Sequence, residues 1–307
     1  MRMTSGISSV LLFLAVAAVP CPSSAQDTNP ATARPPKFLN MIHQELKPGR
    51  TGAYDDLEAS IARTYVRENI PAFWVELESI AGPSEVLYLN LFDSSQEMTQ
   101  SLNASSSGLA AHPELVQMQD RLLQENTSST ATVLGVLRDD MGYRANTIDF
   151  SKMRILHLST VFAHPGYERA FMEAEWSLSQ ASEKVNARTA WAVYEVVGGL
   201  PEPTYVIVTP MRSLNDIDDV VEASQALKKT EGGALEQHLQ ELARIAYGTT
   251  DSRLFVVGQK MSHVSKEMVA GDPDFWAPPN AAPPPASARN DRPAPKNAGP
   301  PAAAPKP

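Results

Sequence analysis

Cysteine is nearly missing from this chain. Cys21 is the only one in 307 residues, and it falls in a leading segment expected to be cleaved away. A mature chain without cysteine has no disulfide, no thiolate metal site and no cysteine nucleophile. Histidine is sparse too. His43, His112, His157, His164, His238 and His263 are scattered, with no pair at metal-ligand spacing, so no metal centre is expected. Positive charge is short: 26 Lys and Arg stand against 35 Asp and Glu, for a net charge of −9. That balance excludes the clustered basic face on which nucleic-acid binding rests, and it disfavours anionic membrane surfaces. Gly198-Gly199 and Gly232-Gly233 do not have the strand-to-helix context of a phosphate loop. Long apolar runs are also wanting. Val10–Val19 is about half the roughly 20 residues needed to cross a bilayer, so no membrane span is expected.

That one apolar run follows Arg2 and precedes the small residues Ser23-Ser24-Ala25, the layout of a signal peptide over residues 1–25. A periplasmic or secreted protein is therefore expected. Pro20 directly before Cys21 fits a lipid-anchored cysteine poorly. Residues 26–36 read as a polar, proline-containing linker. Residues 265–307, almost all Pro, Ala, Asn and Gly from Ala277 onward, are expected to form a disordered Pro/Ala-rich tail, because they carry too little apolar surface to offset their ordering entropy.

Between linker and tail the chain repeats itself at an offset of 117. Pro48-Gly49 answers Pro165-Gly166, Ala53-Tyr54 answers Ala170-Phe171, and Trp74 answers Trp191. Glu78 answers Glu195, Gly82 answers Gly199, Glu85 answers Glu202, and Tyr88 answers Tyr205. A constant offset over some forty positions marks a duplicated unit. Each copy, 37–145 and 152–264, reads β-α-β-β-α-β. Alternation predicts strands at 38–46, 73–80, 86–92 and 132–137, and again at 155–162, 189–197, 204–209 and 253–259. Helical spacing predicts 51–68 and 167–184. A second helical region runs to about Glu125 in the first copy, interrupted by Ser105–Gly108 and Pro113, and from Leu214 to Tyr247 in the second.

Two such units in tandem describe an α+β fold of ferredoxin-like repeats. The Pro-Gly turn after the first strand, the early aromatic of the first helix, and the hairpin with its Trp, Glu and Gly resemble the dimeric α+β barrel superfamily, in particular its NIPSNAP-like and antibiotic-biosynthesis-monooxygenase-like members. The resemblance covers about 220 residues. It implies that two four-stranded sheets pack into an α+β barrel, formed by the two halves of one chain or across a homodimer. Haem-degrading members use an Asn, a Trp and a His. Asn40, Trp74 and His112 occur here in that order, but 38 residues and a strand separate Trp74 from His112, which departs from the family pattern. No cofactor is expected.

Strand alternation separates two faces. The more apolar set, with Leu39, Met41 and His43 against Leu156, Leu158 and Thr160, is expected to meet the helices. The mixed set is expected to line the barrel: Asn40, Trp74, Glu78, Tyr88 and Asn90 from one half, and His157, Trp191, Glu195 and Tyr205 from the other. Aromatic walls with convergent polar groups suit a small-ligand site. Glu78 and Glu195, desolvated and near each other, would form an acid–base pair. Two readings follow. The first is an exported, non-enzymatic module that binds a small apolar or aromatic molecule or mediates envelope interactions. The second is a cofactor-independent monooxygenase or isomerase using the barrel-facing Glu78 and Glu195.

Overall fold

The computed structural model describes residues 35–277. The expected signal peptide, most of the linker and the Pro/Ala-rich stretch from 278 onward lie outside the described residues. Eight strands alternate with helices: β1 (Phe38–Leu46), α1 (Thr51–Arg67), β2 (Val75–Ala81), β3 (Glu85–Phe92), α2 (Ser95–Ala111), α3 (Pro113–Arg121) and β4 (Thr127–Leu137). The second half follows with β5 (Ile155–Ala163), α4 (Glu168–Lys184), β6 (Ala192–Gly198), β7 (Thr204–Met211), α5 (Asp216–Ala246) and β8 (Tyr247–Val257). The chain then adds two short helices, α6 (Lys266–Gly271) and α7 (Pro273–Trp276).

The strands close a barrel in the order β1-β3-β2-β8-β5-β7-β6-β4, with β4 returning to β1. Every neighbouring pair is antiparallel. Each half contributes the same internal order, and the halves join where β2 meets β8 and β4 meets β6. Closure leaves no free sheet edge. Equivalent turns keep the same backbone: Gly82 and Gly199, which follow β2 and β6, have φ of +102° and +96°.

The barrel interior reverses the expected assignment of faces. Leu39, Met41, Val75, Leu77, Leu87 and Leu89 share one buried cluster with Leu156, Leu158, Val206, Val208 and Phe255. β1 lies across the barrel from β5, and β3 from β7, so side chains of these strands can cluster only inside it, and the strictly apolar face points inward. An eight-stranded barrel is just wide enough for side chains to fill it, and this interior is a packed core rather than a ligand chamber. The mixed face lies under the helices. There Tyr54, Ile61 and Tyr65 of α1 cover Val86 and Tyr88, and Phe171 of α4 covers Val193 and Tyr205.

The segments after β4 and β8 seal one end of the barrel. Phe150 and Met153 from the first, and Trp276 from the second, join the interior cluster. The indole N–H of Trp276 donates to the Ser151 carbonyl at 2.8 Å. The expected start of the tail at residue 265 is thus too early, since residues 266–276 are helical and end in a buried tryptophan. The expected break at Ser105–Gly108 is also absent. α2 runs through it, and Gly108 serves packing: a Cβ there would meet Ile70 Cδ1 at 2.8 Å.

Candidate functional site

The two glutamates expected to converge do not. β2 and β6 stand on opposite sides of the barrel. Glu78 and Glu195 alternate with the inward-facing Leu77 and Val196, so both point outward with the filled core between them. Glu195 is bound by the Arg138 guanidinium at 2.8 Å. Burial raises the Glu78 pKa, helped by the nearby charge of Asp55.

The remaining expected site residues are similarly dispersed. Asn90 donates through Nδ2 to the Asn40 carbonyl at 3.2 Å, which ties β3 to β1. His157 lies on the outside of β5, 3.4 Å from the Ser252 hydroxyl, with its pKa lowered by burial. Trp191 donates through Nε1 to Glu175 at 3.3 Å. Tyr205 stacks on Phe171, with ring centroids 4.1 Å apart. His112 sits at the α2–α3 junction, 3.3 Å from Glu114. Among the described residues no cluster of His, Cys, Asp and Glu has the geometry to hold a metal ion.

One sequence signal went unused. Glu58 and Glu175 obey the 117 offset, each four residues after the helix-facing aromatic Tyr54 or Phe171, and both are buried. Burial pushes Glu58 up to about 8 and Glu175 up to about 7. Glu175 accepts from Trp191 and from the Tyr247 hydroxyl at 3.4 Å. The first half elaborates the same spot. Tyr54 donates to Gln44 at 2.7 Å and is hydrogen-bonded to Tyr88, and Glu76 lies fully buried with neither carboxylate oxygen partnered. In the second half Val161, Phe171 and Val193 replace Gln44, Tyr54 and Glu76. This network is closed to solvent. It can hold protons and rigidify α1, but it cannot touch a substrate.

Access exists instead at the barrel end where β1 and β5 begin. Two cavities open there, in equivalent places in the two halves. Each lies between the start of a half's second strand, the end of its third strand and the start of its second helix, against the segment that follows the other half's last strand. The first, about 340 Å³, is walled by Phe73, Trp74, Val75, Leu89, Leu91 and Met268, with Glu97, Gln100 and Ser101 at its rim. Neither Asn40 nor His112 lines it, so the haem-type set is not assembled. Trp74 is fixed in place: Nε1 donates to the Met261 carbonyl at 2.8 Å, and its ring meets Tyr65 edge-on at 4.9 Å. His263 packs beside it at 5.3 Å, its pKa lowered by burial. The second cavity, about 510 Å³, is lined largely by polar and charged groups.

No family model matches the chain, and no curated protein matches it. Similar solved structures include an anthrone oxidase-like protein, with 13% identity and a TM-score of 0.47, covering 75% of this chain and 95% of its own. A candidate monooxygenase of Lactobacillus acidophilus is 8% identical, with a TM-score of 0.44 and coverage of 73% and 94%. A chlorite dismutase variant of Candidatus Nitrospira defluvii is 9% identical, with a TM-score of 0.43 and coverage of 78% and 96%. At such identities and TM-scores the likeness assigns neither a family nor an activity, and the activities of those proteins remain theirs.

Proposed function

We propose that this is an exported protein, built from a tandem duplication, that binds a small apolar or aromatic molecule in the cavity beside Trp74. The carrying observation is the wall of Phe73, Trp74, Leu89, Leu91 and Met268 around about 340 Å³ of space. That volume is at the small end of ligand sites, which are typically apolar with a few polar groups at one side. Glu97, Gln100 and Ser101 supply those groups. The indole is held by its own hydrogen bond and by Tyr65, so it presents a ring face without a large ordering cost. Acid–base catalysis by Glu78 and Glu195 as a pair finds no support, because the two carboxylates face away from each other across the barrel.

A ligand of about ten heavy atoms should bind with a Kd on the order of 0.1 mM. The test uses 1-naphthol as probe, followed by calorimetry, with mass spectrometry under native conditions to detect any molecule carried through purification. Leu91→Arg, which places a charge in the wall, should abolish naphthol binding while the variant still unfolds cooperatively. Equal naphthol affinity in the Leu91→Arg protein would refute the assignment.

A further inference from the structure

The second cavity occupies the same architectural position as the first, but charged side chains of both signs replace much of the apolar lining. Where the first half has Pro71 and Phe73, the second has Arg188 and Ala190. The turn that leads into the second helix makes the change sharper. In the first half the Asp93 N–H donates to the Glu97 carboxylate at 2.8 Å. In the second the Arg212 N–H donates to the Asp216 carboxylate at 2.8 Å. One turn geometry thus presents an acid on one side of the barrel and a guanidinium on the other.

Both charge signs line this cavity, and their partners decide which is available. All three acids are occupied. Asp149 accepts from the Ser151 N–H and hydroxyl at 3.0 and 2.6 Å. Asp216 holds the Arg212 N–H and the Ser213 hydroxyl, and Asp219 is paired with Arg188 at 2.5 Å. Among the cations, Lys152 has only a loose contact with Asp272, at 3.7 Å. That carboxylate is already taken by Arg154. Arg212 lines the cavity and has no ion pair among the described residues. Ile148, Met153 and Met211 supply apolar lining.

We infer that this cavity is a second binding site, for a small organic acid whose carboxylate meets Arg212 and Lys152 and whose apolar body rests on Ile148, Met153 and Met211. Arginine suits that role because its planar fork matches a carboxylate in two parallel hydrogen bonds. A site with unoccupied cations and an apolar floor selects an anion with a carbon skeleton over a bare inorganic ion. The site is separate from the one beside Trp74 and does not depend on that cavity's ligand.

Calorimetric titration of the full chain with benzoate, benzamide and inorganic phosphate tests the inference. Benzoate should bind, with an affinity that falls several-fold as salt rises from 20 to 200 mM, about the range over which screening becomes strong. Benzamide and phosphate should each bind at least tenfold more weakly. Arg212→Asp, which installs the acid found at the equivalent first-half position, should lower benzoate affinity at least tenfold. Arg212→Ala should lower it less, and Leu91→Arg should leave it unchanged, which keeps this site distinguishable from the one beside Trp74. Equal binding of benzoate and benzamide, phosphate as strong as benzoate, or full benzoate affinity in Arg212→Asp would each overturn the inference. So would the absence of any benzoate binding by the unaltered protein.

Discussion

Glu58 illustrates how a single side chain can set the pH response of the whole chain. Its carboxyl is buried beneath α1 and titrates near 8, and burial drives the unpartnered Glu76 up as well. A carboxyl whose folded pKa is raised holds a proton that the unfolded chain releases. Its contribution to stability is complete below about pH 4.5 and is lost as pH rises toward the folded value. Half-buried His43, pushed down to about 4 by desolvation and by Arg253, and His263 work in the opposite sense. They disfavour the fold only below about pH 6.5. The interval from pH 6.5 to 8 therefore isolates the carboxyls. The melting temperature is expected to fall across it, by an amount equivalent to about 2 kcal/mol for Glu58. Glu58→Gln should remove part of that slope, with the buried Glu76 supplying a further share, and Glu175→Gln a smaller part than Glu58→Gln, since Glu175 titrates near 7. Thermal melts of the three proteins at several pH values decide it; a slope unchanged in Glu58→Gln would show that the proton resides elsewhere. The equivalent glycines give a second comparison of single positions. A Cβ at Gly199 would collide with the Thr132 carbonyl, whereas at Gly82 it would meet nothing within 4 Å. Both have positive φ, so Gly82→Ala should cost about 1 kcal/mol from backbone strain. Gly199→Ala should cost about 2 kcal/mol more than that, because the clash involves backbone on both sides.

At the level of elements, the strands were legible because alternation and the 117 offset supported each other, and so were the first helix of each half. Legibility failed wherever a residue's meaning depended on what packs against it. Gly108, surrounded by serines, has the composition of a break but is the seat for Ile70. Trp276 stands next to the Pro/Ala-rich run, and only tertiary packing reveals it as a plug. The two faces of each strand were separated correctly and assigned in reverse. An amphipathic strand reports which face is drier but not which layer supplies the dryness. In a closed barrel the interior is drier than the surface beneath the helices, which keeps room for Glu76, Tyr54 and Gln44. The site residues were scattered for the same reason, since Glu78 and Glu195 follow their strands outward. The plug carries its own prediction. Trp276→Ala should cost about 3–5 kcal/mol, the range for removing a buried aromatic, and a chain ending at residue 264 should lose at least as much. Urea unfolding measures both, and a stability loss below 1 kcal/mol in Trp276→Ala would show that the plug contributes little to the core.

For the molecule as a whole, the closure of the barrel makes each half dependent on the other. The inward faces of β1, β2 and β3 bury Leu39, Met41, Val75, Leu77, Leu87 and Leu89 against the second half. A lone first half would expose that surface together with the free edges of β2 and β4, which β8 and β6 cover in the intact chain. Exposed apolar faces and unpaired edges are the conditions for association rather than for a stable monomer. Residues 35–145, produced alone, should therefore self-associate or fail to melt cooperatively. Mixed with residues 146–277, they should form a one-to-one complex that melts as a unit. The binding sites give a functional readout of the same dependence. The cavity beside Trp74 takes one wall, Val264, Ser265 and Met268, from the segment that follows β8. The cavity beside Arg212 takes Thr147, Ile148 and Lys152 from the segment that follows β4, and those residues already belong to the second fragment. Reassembly should thus restore naphthol binding, which neither fragment shows alone. Sedimentation velocity on the separate and mixed fragments, with calorimetry on the same samples, checks both claims. A first half that sediments as a folded monomer and melts cooperatively would mean that each repeat is a self-sufficient domain and that the barrel is a docking arrangement rather than one core.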